Sequence, residues 1–210
     1  VYYADFSGIP EQAPALSIGI FDDDLSGLGV LEAFLQADHF NNITGKPGAD
    51  GIRDFAGENF VYLADVANAS YNEYAGHGNL DFLKESVVRD ALFLLDDAYY
   101  NQTLDDQPYG VKSRAKFLVC ADASASTFGL ADVEMLLDRS MTGVSACSVV
   151  DAAVLRYLSM VRDLPEASVG ILADQGVVDA GHYEQAFRKL SSLQQYGGRI
   201  RVYHQKTVGL

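Results

Sequence analysis

Hydrophobic and polar positions follow two patterns along the chain, one typical of buried strands and one typical of amphipathic helices. Short apolar runs bounded by polar turns predict strands at 16–21, 60–64, from 115, 142–146, 168–173 and 199–203. Apolar residues at helical spacing predict helices after Ser26, at 80–95, at 128–137, at 149–161 and after Asp179. Because strands alternate with helices, we expect βαβ units, a mainly parallel sheet and an α/β fold.

Three stretches interrupt this alternation. Residues 39–57 are rich in Gly, Asn, Asp and Pro and predict a long loop or insertion, and residues 66–78 predict a polar loop. Residues 105–113 contain Pro108 and Gly110 and break the pattern again. We therefore predict an N-terminal arm over 1–15, a first α/β lobe over 16–113 and a second over 114–210.

The stretch at 115–127 carries the clearest signal for a ligand site. An apolar run of strand type ends in a cluster of very small residues, and one ionisable side chain, Asp122, stands between them. Small neighbours allow a ligand to approach the backbone and the start of the following helix. The alternative interpretation is that Asp122 only begins that helix.

Aspartates recur at the carboxyl ends of the predicted strands. They are Asp22, Asp23, Asp24, Asp65, Asp122 and Asp174. These ends share one edge of a parallel sheet, so we expect several of the carboxylates to face one crevice. Crowding raises the pKa of some of them, which would suit a general base, and it attracts an ammonium group or a divalent metal. Alternatively, each aspartate is an ordinary turn or N-cap residue.

Composition and charge narrow the classes of partner. The 210 residues are 49% hydrophobic and carry a formal net charge of -14, which argues against nucleic acid and anionic membranes as partners. Cys120 and Cys147 lie in apolar contexts and predict reduced core thiols. The four histidines lie in loops, at a helix start or near the chain end, and predict surface residues.

Four stretches in order resemble motifs of the aspartate/glutamate racemase superfamily, in particular those of glutamate racemase. They are residues 18–31, 60–72, 118–126 and 169–183. The third is similar to the family stretch Val-Val-Ala-Cys-Asn-Thr-Ala-Ser. The resemblance implies racemisation of an acidic amino acid by two cysteines, without a cofactor or metal. It also implies two flavodoxin-like parallel-sheet lobes with the active site between them.

The same resemblance assigns site residues and shows where this chain departs from the family. Asp122 occupies the position of the first catalytic cysteine and becomes the predicted catalytic residue. Asp23 replaces a serine that contacts substrate, and Ser124 stands in for a threonine. The predicted substrate-binding residues are Asp22, Asp23, Tyr71, Asn72 and Ser124. The second-cysteine motif and the C-terminal return segment of the second lobe are missing from the 210 residues.

These departures change the expected activity. A carboxylate is a weaker base than a thiolate unless it is buried, and extra carboxylates repel acidic substrates, so we expect ordinary glutamate racemisation to be lost. The leading hypothesis is a glutamate racemase-like protein with a remodelled, acid-rich pocket for an amino acid or amine-bearing ligand. Alternatives are a non-catalytic ligand-binding or regulatory domain, and a racemase that uses Asp122 with an unidentified partner residue. The resemblance leaves open a homodimer or a second chain that completes the fold, and its default compartment is the cytoplasm.

Overall fold

The computed structural model describes residues 16–100 and 108–207, in which strands and helices alternate. The arm predicted for residues 1–15 lies outside them. The strands are β1 Ser17–Asp22, β2 Asn59–Ala64, β3 Ala98–Tyr99, β4 Gly110–Val111, β5 Ala115–Cys120, β6 Ser145–Ser148, β7 Glu166–Asp174 and β8 Arg199–Thr207. The helices are α1 Leu28–Gln36, α2 Tyr71–Gly76, α3 Leu80–Leu95, α4 Ala123–Phe128, α5 Leu130–Ser140, α6 Val149–Met160, α7 Gln175–Asp179 and α8 His182–Leu193.

A parallel sheet with the strand order β2-β1-β5-β6 forms the centre of the described fold. Strand β1 is buried along its whole length, as expected for a strand covered on both faces. Phe21 packs with apolar residues of α3 and α5 on one face. Ile18 and Ile20 point to the other face, where they pack against α1. The apolar run therefore forms a strand because both of its faces are removed from water.

Strands β7 and β8 form a separate parallel pair, and α6 and α8 pack against it around Ile171 and Phe187. Parallel strands joined by helices confirm the predicted α/β fold class. The predicted lobe boundary between residues 113 and 114 does not fit the pairing, because β5 lies beside β1 in the central sheet. The break before β5 instead contains the small hairpin of β3 and β4, which does not end that sheet.

The short elements depart most from the predicted pattern. Helix α2 lies inside the stretch predicted to be a loop, and α4 begins at Ala123, where a turn was expected. Both helices have six residues, too few to show a clear apolar period. Among the described helices, none combines the length and the apolar character that crossing a bilayer requires.

Candidate functional site

The candidate site lies at the point where the strand order of the central sheet changes direction. From β1 the chain passes to β2 on one side of β1, and β5 then pairs with the other side. In open α/β sheets, the crevice at such a switch point, outside the carboxyl ends of the strands, is the usual place for a ligand. Asp22 ends β1, and Asp122 follows β5 by two residues.

Three of the predicted aspartates meet in this crevice. One carboxylate oxygen each from Asp22, Asp23 and Asp122 lies within 4.8 Å of the other two. Asp22 and Asp23 are buried, and Asp122 is half-buried. Asp24, by contrast, is exposed, and Asp174 at the end of β7 pairs with Thr207. Adjacent strand ends therefore bring together only part of the predicted set.

The turn after β1 holds Asp22 by hydrogen bonds to its carboxylate. The backbone N–H of Asp23 donates to Oδ1 at 2.9 Å, and the hydroxyl of Ser26 donates to Oδ2 at 3.0 Å. The backbone N–H of Gly27, at the start of α1, donates to the same Oδ2 at 2.5 Å. Asp22 thus joins the end of a strand to the start of a helix and is fixed before any ligand arrives.

Close packing at Gly27 makes a testable prediction. A Cβ at this position would lie 2.5 Å from Asp22 Oδ2 and 2.8 Å from the Cβ of Ala121. We expect Gly27→Ala to lower the free energy of unfolding by about 1–3 kcal/mol through overpacking. The matched control is Gly29→Ala, on the same helix, because nothing lies within 4 Å of a Cβ there.

We expect the Gly29→Ala protein to gain up to about 1 kcal/mol, since alanine is the better helix former. Urea denaturation of both variants measures the two changes. Equal effects of the two substitutions would contradict the close packing at the site.

Two further backbone groups orient the other carboxylates. The N–H of Tyr71, at the start of α2, donates to Asp23 Oδ2 at 2.7 Å. Asp122 is the N-cap of α4 and accepts the N–H of Ala125. Asp122 therefore does begin a helix, as the alternative interpretation held, and it also faces the crevice beside Asp22 and Asp23.

Burial and mutual repulsion change how these carboxyls titrate. Burial, together with the charges of Asp23 and Asp22, raises the pKa of Asp122 to about 7, against the opposing hydrogen bonds from Ala125 and Ser124. Burial also raises the pKa of Asp23, and the charge of the neighbouring Asp22 adds to this rise. A carboxyl with a pKa near 7 is partly protonated at neutral pH, which suits it to accept and return protons.

Next to the crevice, the phenol of Tyr71 is fully buried and lies between two more aspartates. Its hydroxyl is 2.6 Å from Asp90 Oδ2 and 2.9 Å from Asp65 Oδ2. The hydroxyl is the donor in both contacts, and its single proton can be donated to either carboxyl. Burial raises the pKa of Asp90 to about 8, while the hydrogen bond donated by Tyr71 opposes this rise.

Comparisons with known proteins bear on the fold. No protein-family model matches the sequence, and no curated protein matches it. Among solved structures, glutamate racemase from Campylobacter jejuni subsp. jejuni is similar over 91% of this chain, with a TM-score of 0.54 and 17% identity. The chain has a glutamate racemase-like fold. It spans 57% of the length of that racemase.

The likeness confirms the racemase-like fold that the four motifs predicted, while the roles of single residues stay predictions. Ser124 is buried beside Asp122 and donates its N–H to that carboxyl. Tyr71 contacts Asp23 through its backbone only, because its hydroxyl points to Asp65 and Asp90. Cys120 is buried in the core, and Cys147 is half-buried.

Asn72 is placed differently from the other predicted binding residues of the racemase-like site. Its side chain is exposed and bonds with the hydroxyl of Ser70. Within the described part of the chain, no hydrogen bond joins it to the three carboxylates. The helical turn of α2 separates Asn72 from the crevice, because the buried Tyr71 occupies the inward position.

Sequence reasoning missed two residues that shape the site. Gly27 was not distinguished from other glycines, since close packing around it depends on the fold. Asp90 lies in the apolar stripe of α3, between the buried residues Val87 and Leu94. A carboxylate at a core position of an otherwise apolar helix face is a signal that could have identified Asp90.

The carboxylate oxygens in the crevice are also possible metal ligands. The sequence resemblance predicts no metal, yet three carboxylates at this spacing present the oxygen ligands that divalent cations prefer. The same oxygens suit an ammonium group, for which they supply charge-assisted acceptors. Both kinds of ligand are positively charged, which is the charge that three carboxylates attract.

Proposed function

We propose that this protein is a racemase-like enzyme that exchanges the α-proton of an amino acid or a related amine, with Asp122 as the base. The observation that supports this proposal is that the carboxylates of Asp22, Asp23 and Asp122 lie close together at the switch point of a glutamate racemase-like fold. The ligand ammonium would lie against Asp22 and Asp23. Asp122, on the adjacent strand end, would face the α-carbon.

The proposed step needs no group beyond those in the crevice and the substrate. Asp122 accepts the α-proton and becomes a carboxylic acid, while the electron pair of the Cα–H bond moves into the substrate's own carboxyl group. The proton then returns to Cα from Asp122 or is first replaced by one from solvent. An ammonium beside Asp22 and Asp23 lowers the pKa of the α-proton and offsets the repulsion among the carboxylates.

The acid-rich crevice favours neutral or basic amino acids over glutamate. A second acidic group on the ligand would meet the charges of Asp22, Asp23 and Asp122 at close range. We expect these residues to support weak or altered isomerase chemistry on neutral or basic amino acids.

The test is deuterium incorporation at Cα for a panel of free amino acids in deuterated buffer, followed by NMR or mass spectrometry. Because the base must be ionised, we expect the exchange rate to rise with pH through about 7 and then to level off. The bound ammonium lowers the pKa of Asp122, so the midpoint for kcat should lie below that for kcat/KM.

A flat profile across this range would contradict Asp122 as the base. Exchange of no amino acid, while a ligand still raises the melting temperature, would favour a binding domain that retains the fold.

A further inference from the structure

A second cleft, of about 370 Å³, lies between α4, α5, α6 and α8. Polar side chains on all four helices line it, among them Glu134, Asp151, His182 and Lys189. The volume falls near the lower end of the range found for small-molecule sites, about 300–1,000 Å³. The cleft is formed largely by residues beyond the end of β5 and contains none of the three crevice aspartates.

Opposite charges line this cleft without neutralising each other. Glu134 and Asp151 are acidic, Lys189 is basic, and none of the three has an ion-pair partner at 4.0 Å or less within residues 16–100 and 108–207. These charges lie on three helices around one cleft and are too far apart to pair. Space for a group of a bound ligand therefore remains between them. A ligand with both a cationic and an anionic group would complete both sets.

His182 adds a buried polar atom to the same lining. Its Nε2 is buried and has no hydrogen-bond partner among the described residues. The residue as a whole is half-buried at the start of α8. Burial lowers the pKa of His182, the Asp151 charge raises it, and Lys189 lowers it. Asp151, His182 and Lys189 all line the cleft.

We propose that this cleft binds a small zwitterion of the size of a free amino acid. Its ammonium group lies toward Glu134 and Asp151, and its carboxylate lies toward Lys189. His182 Nε2 receives or donates the hydrogen bond that it lacks within the chain. Leu130 and Ala186, both buried, provide the apolar part of the lining. This site is separate from the crevice, and its existence does not depend on the proposed chemistry there.

The imidazole of His182 reports directly on binding. Long-range proton–nitrogen NMR of the histidine side chains follows it, with assignment by His182→Gln. His182 lines this cleft, whose lining contains none of the three crevice aspartates, so its resonance separates binding here from binding in the crevice. We expect L-alanine at millimolar concentration to shift the His182 resonance saturably. Methylammonium alone and acetate alone, which carry one charge each, should not.

Substitutions on two helices locate the site. We expect Asp151→Asn and Lys189→Gln each to weaken alanine binding at least tenfold, about 1.4 kcal/mol. Arg156→Gln is the matched control, because Arg156 is exposed on α6 and does not line the cleft. Because the two variants alter different helices, misfolding of one leaves the other informative.

Three results would overturn the proposal. They are the absence of a saturable shift with alanine, unchanged affinity in both variants, and saturation by acetate as readily as by alanine. Loss of α-proton exchange in the wild type would leave it standing, since the cleft is measured without that activity.

Discussion

Replacing Asp122 by asparagine is expected to reduce α-proton exchange at least about 100-fold, the usual contribution of a positioned general base. The amide keeps the shape of the side chain but has no basic oxygen of comparable strength. The rise of the rate with pH through about 7 should disappear along with the activity, because Asp122 is the group that titrates there. Exchange measured across the amino-acid panel tests both changes.

The structure also indicates why this variant should remain folded. Asparagine is as good an N-cap as aspartate, and its side-chain carbonyl can still accept the N–H of Ala125. Removing a carboxyl that burial keeps partly protonated also relieves repulsion with Asp22 and Asp23. Lost activity in a stable protein would therefore come from the chemistry of the side chain. Unchanged exchange in this variant would rule out Asp122 as the base.

Asp138→Asn is the matched control for that substitution. Asp138 is exposed on α5 and has no ion pair within the described part of the chain. Asp138→Asn makes the same change from carboxyl to amide as Asp122→Asn, but outside the group of crevice carboxylates. Any effect of net charge alone on binding or exchange appears equally in both variants.

Replacing Asp90 by asparagine is expected to stabilise the protein, by an amount that grows with pH. Asp90 is 5% exposed, and burial raises its pKa from 3.8 to about 8 in the folded state. The unfolded chain releases this proton near pH 4, so the folded state holds more protons between about pH 4 and pH 8. Wild-type stability therefore falls as pH rises through this window.

The asparagine variant lacks this titration, and its amide oxygen can still accept the hydrogen bond that Tyr71 donates. The difference in free energy of unfolding should be small near pH 4 and should reach the order of 5 kcal/mol above pH 8. Denaturation of wild type and variant at several pH values measures it. Asp138→Asn, on the exposed face of α5, is measured alongside as the control for replacing a carboxyl by an amide. A constant difference across the window would show that Asp90 titrates normally.

Tyr71→Phe separates the hydroxyl from the rest of this network. The variant keeps the aromatic ring and the N–H that holds Asp23, but it leaves the carboxyls of Asp90 and Asp65 without their shared partner. Its stability should fall at every pH, because an unpaired buried polar group costs about 1–3 kcal/mol. In contrast, only the Asp90 variant should gain stability at high pH.

Long periodic elements were the part of the fold that could be predicted from sequence. The apolar runs around Ile20 and Leu118 became buried central strands, and the stripe through Leu83 and Val87 became the inner face of α3. Their burial removes a continuous apolar surface from water. The regular spacing of apolar residues in the sequence indicates that surface directly. The short helix α2 has only six residues, too few to show such a spacing.

Sheet membership was harder to predict than strand position. A break containing Pro108 and Gly110 marks a change in local structure, and from sequence it predicts a boundary between lobes. The pairing of β5 with β1 joins segments that are far apart in the sequence, so it is a property of the folded sheet. Local composition carries no information on that choice.

The sequence alone determined that Asp22, Asp23 and Asp122 follow strand ends, and that small residues surround the last of them. Their types and order predicted a site of acidic character on a racemase-like fold. Only the tertiary structure decided which aspartates meet, because adjacency of β1 and β5 places three carboxylate oxygens within 4.8 Å and leaves Asp174 with Thr207. Burial, which raises the pKa of Asp122 and Asp90, likewise depends on the packing of distant segments and cannot be read from their neighbours in sequence.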